Sequence, residues 1–164
     1  MAIRPILTFP HPLLAEPCAE VTVFGEELLA LVQDLTDTMR AAPGVGITAA
    51  HIGILQRLFV LELTAGKVDV YINPKVIQSS TQTTRHTEGS VSLPGMTEEV
   101  ERPAAVTLTY QTTDGALQTI EADGFLATCI QHEVDQLDGV FWTKRLSRIK
   151  RDRLMKKWDK QKRA

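Results

Sequence analysis

Cysteine is almost missing from this 164-residue chain, which holds only Cys18 and Cys129. Two thiols in these positions make neither a disulfide framework nor a cysteine-rich metal site, which fits a reducing compartment. No apolar run approaches the roughly 18 residues that a membrane-spanning helix needs. Residues 1–12 are interrupted by Pro5, Pro10 and Pro12, so no signal peptide is expected there. The chain also has no internal repeat, low-complexity tract or linker. One domain over residues 1–164 is therefore expected, in the cytoplasm, with no membrane or DNA partner.

The charge is present but unevenly spread. Residues 144–164 carry eleven Lys or Arg against Asp152 and Asp159, a net +9. The rest of the chain holds seven basic and eighteen acidic groups, a net −11. A basic tail on an acidic body can dock on a polyanion such as RNA, or simply serve as a solvated helix face.

Hydrophobic spacing outlines an α+β domain. Residues 25–42 read as a helix, because Leu28, Leu31, Val32, Leu35 and Met39 recur every three or four positions before Pro43-Gly44 ends the pattern. Residues 57–63 and 68–72 read as strands, the second broken by Asn73-Pro74. Val106, Leu108 and Tyr110 alternate with Thr107, Thr109 and Gln111, and Asp114-Gly115 turns the chain into a return strand over 117–122. A central helix over 123–138 follows, stopped by Gly139. Its Phe125, Cys129, His132 and Gln136 share one face; Leu126, Ile130, Val134 and Leu137 fill the next. Residues 147–164 form a basic C-terminal segment, helical to about 162, with Ile149, Leu154 or Met155, and Trp158 on its apolar side.

The central helix carries Gln131-His132-Glu133-Val134-Asp135-Gln136. In an HExxH helix, two histidines at i and i+4 hold one metal and the Glu serves the metal-bound water as base. Here Gln136 stands at the second histidine's position. Taken alone, His132 reads better as a satisfied core histidine.

Two further segments accompany it, Gly44-Val45-Gly46-Ile47-Thr48-Ala49-Ala50-His51 and Glu88-Gly89-Ser90-Val91-Ser92. In order and spacing these three resemble the peptide deformylase motifs GxGLAAxQ, EGCLS and HExDH. Pro10-His11-Pro12-Leu13-Leu14, Glu101-Arg102-Pro103 and the basic C-terminal helix extend the resemblance over nearly the whole chain. It implies a peptide-deformylase-like fold, with short mixed or antiparallel β-sheets packed around the helix bearing His132-Glu133, and a C-terminal helix. It also implies removal of formyl from N-terminal formylmethionine, using a divalent metal such as Fe2+, Zn2+ or Ni2+.

Carried over position by position, His132 matches a metal ligand and Glu133 the catalytic acid/base. Ser90 replaces the ligating cysteine and Gln136 the second histidine. His51 replaces the glutamine that helps stabilise the oxyanion, and Val91 replaces a leucine that contributes its backbone N–H. The implied substrate pocket falls on Val45, Gly46, Val91, Phe125, Thr128 and Cys129, residues that ordinary core packing would equally claim. A neutral hydroxyl and a carboxamide are poor substitutes for thiolate and imidazole, so no cofactor is expected at full occupancy. The first reading is a degenerate paralogue that binds N-formylmethionyl peptides or ribosomes. A second is an active deformylase with His51 recruited beside His132 and Glu133. A third is a metal-free hydrolase using Ser90 and His51. His11 and His86 read as surface or loop residues, and Cys129 as a buried helix residue.

Overall fold

The computed structural model describes residues 2–163. Seven strands run β1 (Gly46–Thr48), β2 (Leu58–Thr64), β3 (Lys67–Ser79), β4 (Thr83–Ser90), β5 (Leu93–Pro103), β6 (Ala105–Gln111) and β7 (Leu117–Asp123). Three α-helices accompany them, α1 (Glu26–Ala41), α2 (Gly124–Leu137) and α3 (Arg148–Lys162). Five strands form one antiparallel sheet in the order β1-β2-β3-β6-β7, and β4 pairs with β5 in a separate hairpin. The expected α+β class is what the chain forms.

Helix α1 forms where the apolar spacing puts it, burying Leu28, Leu35 and Met39 against β1 and β2. Glu26 and Glu27 in its first turn and Arg40 in its last complement the helix dipole. The β6–β7 hairpin forms where expected, with Val106 opposite Ala122 and Leu108 opposite Ile120. Gly115, at φ 88°, supplies the left-handed residue of its turn.

The strand ending at residue 72 is corrected by the structure, because β3 continues through Asn73-Pro74. Asn73 takes a left-handed φ of 51°, and the register with β6 shifts between Ile72 and Lys75. The bulge is tied down on both sides. Val21 N–H donates to Asn73 Oδ1 at 2.7 Å, and the Asn73 amide donates to Val21 O and Gln111 Oε1. Arg57 caps the Pro74 carbonyl with two N–H groups. A proline at a bulge costs the ladder little, since the pairing is already interrupted there. The β4–β5 hairpin is an element that hydrophobic spacing did not reveal. Its buried Leu93, Met96 and Val100 lie three and four apart, without strand alternation.

Helix α2 packs against every strand of both sheets. Ile130 and Leu137 on it are fully buried, each worth about 1.5–3 kcal/mol relative to exposure. The helix ends at Gly139, φ 79°, where a Cβ would lie 2.6 Å from the Ala15 carbonyl oxygen. Only glycine fits there. Helix α3 seats Leu154 and Trp158 on Leu93, Met96 and Val100 of β5, while Ile149, expected on the apolar side, is 77% exposed. It lies in the first turn, ahead of the buried Leu154 and Trp158. Among the described residues, no helix is long and apolar enough to cross a membrane.

Candidate functional site

The segment around β1, the β4–β5 turn and one face of α2 enclose a cavity of about 460 Å³. Val45, Gly46 and His51 line it from the first, Ser90 and Val91 from the second, and Phe125, Thr128, Cys129, His132 and Glu133 from the helix. The structure therefore brings together every residue that the resemblance selects except one. Gln136 does not line the cavity. Its side chain is buried and donates from Nε2 to the Leu14 carbonyl at 2.8 Å. Ser90 does line it, and its Oγ accepts the Ser92 amide at 3.1 Å.

His132 is held from behind. Its Nδ1 lies 2.8 Å from Glu88 Oε1, and Glu88 accepts two bonds from Arg102, at 2.6 and 2.9 Å. Arg102 also reaches Asp135 at 2.8 Å, and Asp135 in turn accepts two bonds from Arg145. Burial pushes the Glu88 carboxyl up, but Arg102 and His132 outweigh it and hold it down at about 2. Glu88 is thus an anion, and His132 Nδ1 is the donor. Burial pulls the His132 imidazole down, yet the Glu88 bond and the neighbouring Glu133 and Glu88 charges leave it raised. Sequence reasoning gave Glu88, Arg102 and Asp135 no role, although all three stand in the quoted motifs.

Glu133 sits one residue along, 4% exposed, its Oε1 without a hydrogen-bond partner. Burial pushes this carboxyl up to about 7, with His132 pulling the other way. Gly46 makes room for it, since a Cβ there would lie 2.7 Å from Glu133 Oε2. His51 occupies a 3₁₀ turn (Ala49–Ile52) capped by Thr48. Thr48 N–H donates to His51 Nδ1 at 2.9 Å, Thr48 Oγ1 is 3.0 Å from the same nitrogen, and Nε2 is buried without a partner. Burial, then the charge of His132, pull this imidazole down to about 3. Among the described residues, no hydrogen bond joins Ser90 to either imidazole.

Val45 and Phe125 are each 47% exposed and stand at the mouth, while Thr128 and Cys129 lie inside. His86, expected on the surface or in a loop, is half-buried on β4, 2.9 Å through Nδ1 from Thr128 Oγ1 and edge-on to Phe125. Alternation along β4 turns it toward α2. His11 does lie in a loop, capping a 3₁₀ turn. Burial pushes the Cys129 thiol up to about 12, which keeps it protonated and inert.

A divalent metal does not fit this donor set. Among the described residues no group of three or more His, Cys, Asp or Glu is placed to hold one. Gln136 Nε2 is bound to the Leu14 carbonyl and its amide oxygen is neutral, Ser90 offers another neutral oxygen, and His132 remains as the one good ligand. A catalytic zinc-type site needs three.

Comparison with known proteins accounts for this frame. The sequence model of the polypeptide deformylase family matches residues 3–152. A "Peptide deformylase-like" protein of Agrobacterium fabrum (strain C58 / ATCC 33970) is 66% identical over 160 residues, covering 98% of each chain. A "Peptide deformylase" of the same strain is 40% identical, over 100% of this chain and 99% of its own. The crystal structure of a peptide deformylase from Legionella pneumophila superposes with a TM-score of 0.92 at 36% identity, covering 99% of this chain and 96% of that one. With the match running nearly end to end in both sequence and fold, the chain belongs to the polypeptide deformylase family.

Proposed function

We propose that this protein is a degenerate member of its family that binds N-formylmethionyl peptide ends without efficient metal-dependent deformylation. The observation that carries this reading is the Gln136 side chain, tied through Nε2 to Leu14 and absent from the cavity lining, at the sequence position where the family has its second imidazole. Without a bound metal there is no lowered water pKa, and Glu133 has no activated nucleophile to serve. The two other readings draw less support. Recruiting His51 as a ligand needs a lone pair on the nitrogen facing the cavity, and a Ser90 nucleophile needs a base within hydrogen-bond reach. A cytoplasmic location follows from this reading.

Metal content measured beside a deformylation assay on formyl-Met-Ala-Ser tests the proposal. The expected result is no stoichiometric transition metal and no turnover. Iron, zinc or nickel at full occupancy, lost in a His132→Ala variant, would overturn it. We further propose that the outer face of α3, rich in Lys and Arg, docks on ribosomes. Co-sedimentation should then weaken steeply with salt; absence of the protein from ribosomal pellets at low salt would refute the docking.

A further inference from the structure

A second groove, of about 450 Å³, lies outside the site described above. The first turns of α1, the segment 20–23 and the loop before β2 wall it. Val21 and Leu28 are its buried apolar lining, Leu31 and Ile54 are half-buried in it, and Val23 lines it while exposed. Its charge is acidic. Arg4 and Asp34, which also line it, pair with each other at 2.9 Å. Glu20 and Glu27 are exposed and, among the described residues, enter no ion pair. An apolar groove rimmed by two uncompensated carboxylates suits a partner that brings an apolar side chain set among cations.

The chain itself carries that counterpart. Ile149 of α3 is 77% exposed, while Leu154 and Trp158 of the same helix are buried. Arg153, Lys156 and Lys160 follow Ile149 at helical spacing, so they lie in line with it, and all three are exposed. Within one chain the two surfaces lie apart. No residue of α3 lines the groove; α3 packs on the cluster of Leu93, Met96 and Val100, whereas Val21 and Leu28 belong to the cluster around Leu35 and Ile47. We infer that the Ile149–Lys160 stripe of α3 docks in the α1 groove of a second copy, its isoleucine on the apolar lining and its cations against Glu20 and Glu27. The +9 segment and the −11 body attract each other at long range in this arrangement. The inference does not depend on the peptide-binding reading. It uses the α3 face proposed to meet ribosomes, so a joined copy is withheld from them.

Sedimentation velocity of the full chain, at rising concentration in low salt, tests the contact. The average mass should rise above that of the monomer and fall back as added salt screens the charges. Ile149→Ser should weaken association by about tenfold. Leu117→Ser, at an exposed apolar residue of β7, should leave it unchanged. The double variants Glu20→Lys with Glu27→Lys, and Lys156→Glu with Lys160→Glu, should each stay monomeric. Mixed together they offer opposite charges at both contacts and should associate. A parent that is monomeric at every concentration would overturn the inference, as would association insensitive to Ile149→Ser or a mixture that stays monomeric. Polylysine bound at the groove of a monomeric parent would give that surface to another cationic partner and overturn it too. The charge changes fall on exposed side chains, and circular dichroism checks their folding; Ile149→Ser decides the question without them.

Discussion

The two sides of the position where the family's motifs would place a metal are built differently. Behind His132, the chain Glu88–Arg102–Asp135–Arg145 is complete, with Glu88 and Arg102 each 4% exposed at the side chain. Elsewhere, Ser90 on the cavity wall accepts the Ser92 amide, and Gln136, outside that wall, tethers Leu14. The contrast teaches that a functional site's surroundings and its reactive atoms answer to different constraints. Removing one member of a buried ion pair leaves its partner charged and dry, which is costly whether or not a reaction depends on it. Exchanging a ligand for a side chain that finds a new partner costs little. The survival of Glu88 and Arg102 is thus explained by stability and does not bear on whether the site is catalytic.

The sharpest way to break this comparison is Arg102→Met. It strands Glu88 and should cost about 3–5 kcal/mol, or roughly 10 °C in melting temperature. A variant as stable as the parent, by denaturant or thermal unfolding, would remove the stability explanation for the network.

Glu133 offers a subtler test, because its carboxyl titrates at about 7 in the folded protein against an ordinary 4.5. Folding therefore favours the protonated form. The stability this contributes is complete below about pH 4.5 and is lost as pH rises through 7. Glu133→Gln, which cannot ionise, should match the parent at low pH and gain on it across that window, by on the order of 3 kcal/mol, before levelling off. A constant difference between the two unfolding curves at every pH would contradict the effect ascribed to burial. The smallest effect should come from Gln136→Ala, which leaves the Leu14 carbonyl unpaired and should cost about 1–3 kcal/mol. If it costs nothing, the amide was never committed to structure, and the contrast between the two sides weakens.

Periodicity made α1, the β6–β7 hairpin and α2 readable from sequence, because each buries one face with the spacing that its geometry demands. The β4–β5 hairpin escaped for the opposite reason. Its inward positions include Glu88 and Arg102, which neutralise each other across 14 residues of sequence, so the buried face carries charge where a hydrophobic pattern would be sought. The continuation of β3 past Asn73-Pro74 depends on hydrogen bonds from Val21 and Arg57, which no local rule supplies. Within the site, the motifs pointed to His51, His132 and Glu133, and all three line one cavity. They did not show that Gln136 reaches Leu14, 122 residues away in sequence. Nor did they show that Thr48 and His51 cap each other, which fixes the imidazole.

Helix α3 turns its charge outward, but its inner side roofs the cavity. Leu154 and Trp158 press on Leu93 and Met96, and Gln161 holds the Pro94 carbonyl at 3.1 Å. Those three residues of β5 also line the cavity. One layer of side chains, from Leu93, Pro94 and Met96, thus separates α3 from the cavity. Cutting the chain after Leu146 would remove the charge and the roof together. Charge reversal at exposed positions such as Lys156 and Lys157 removes the charge and leaves the roof in place.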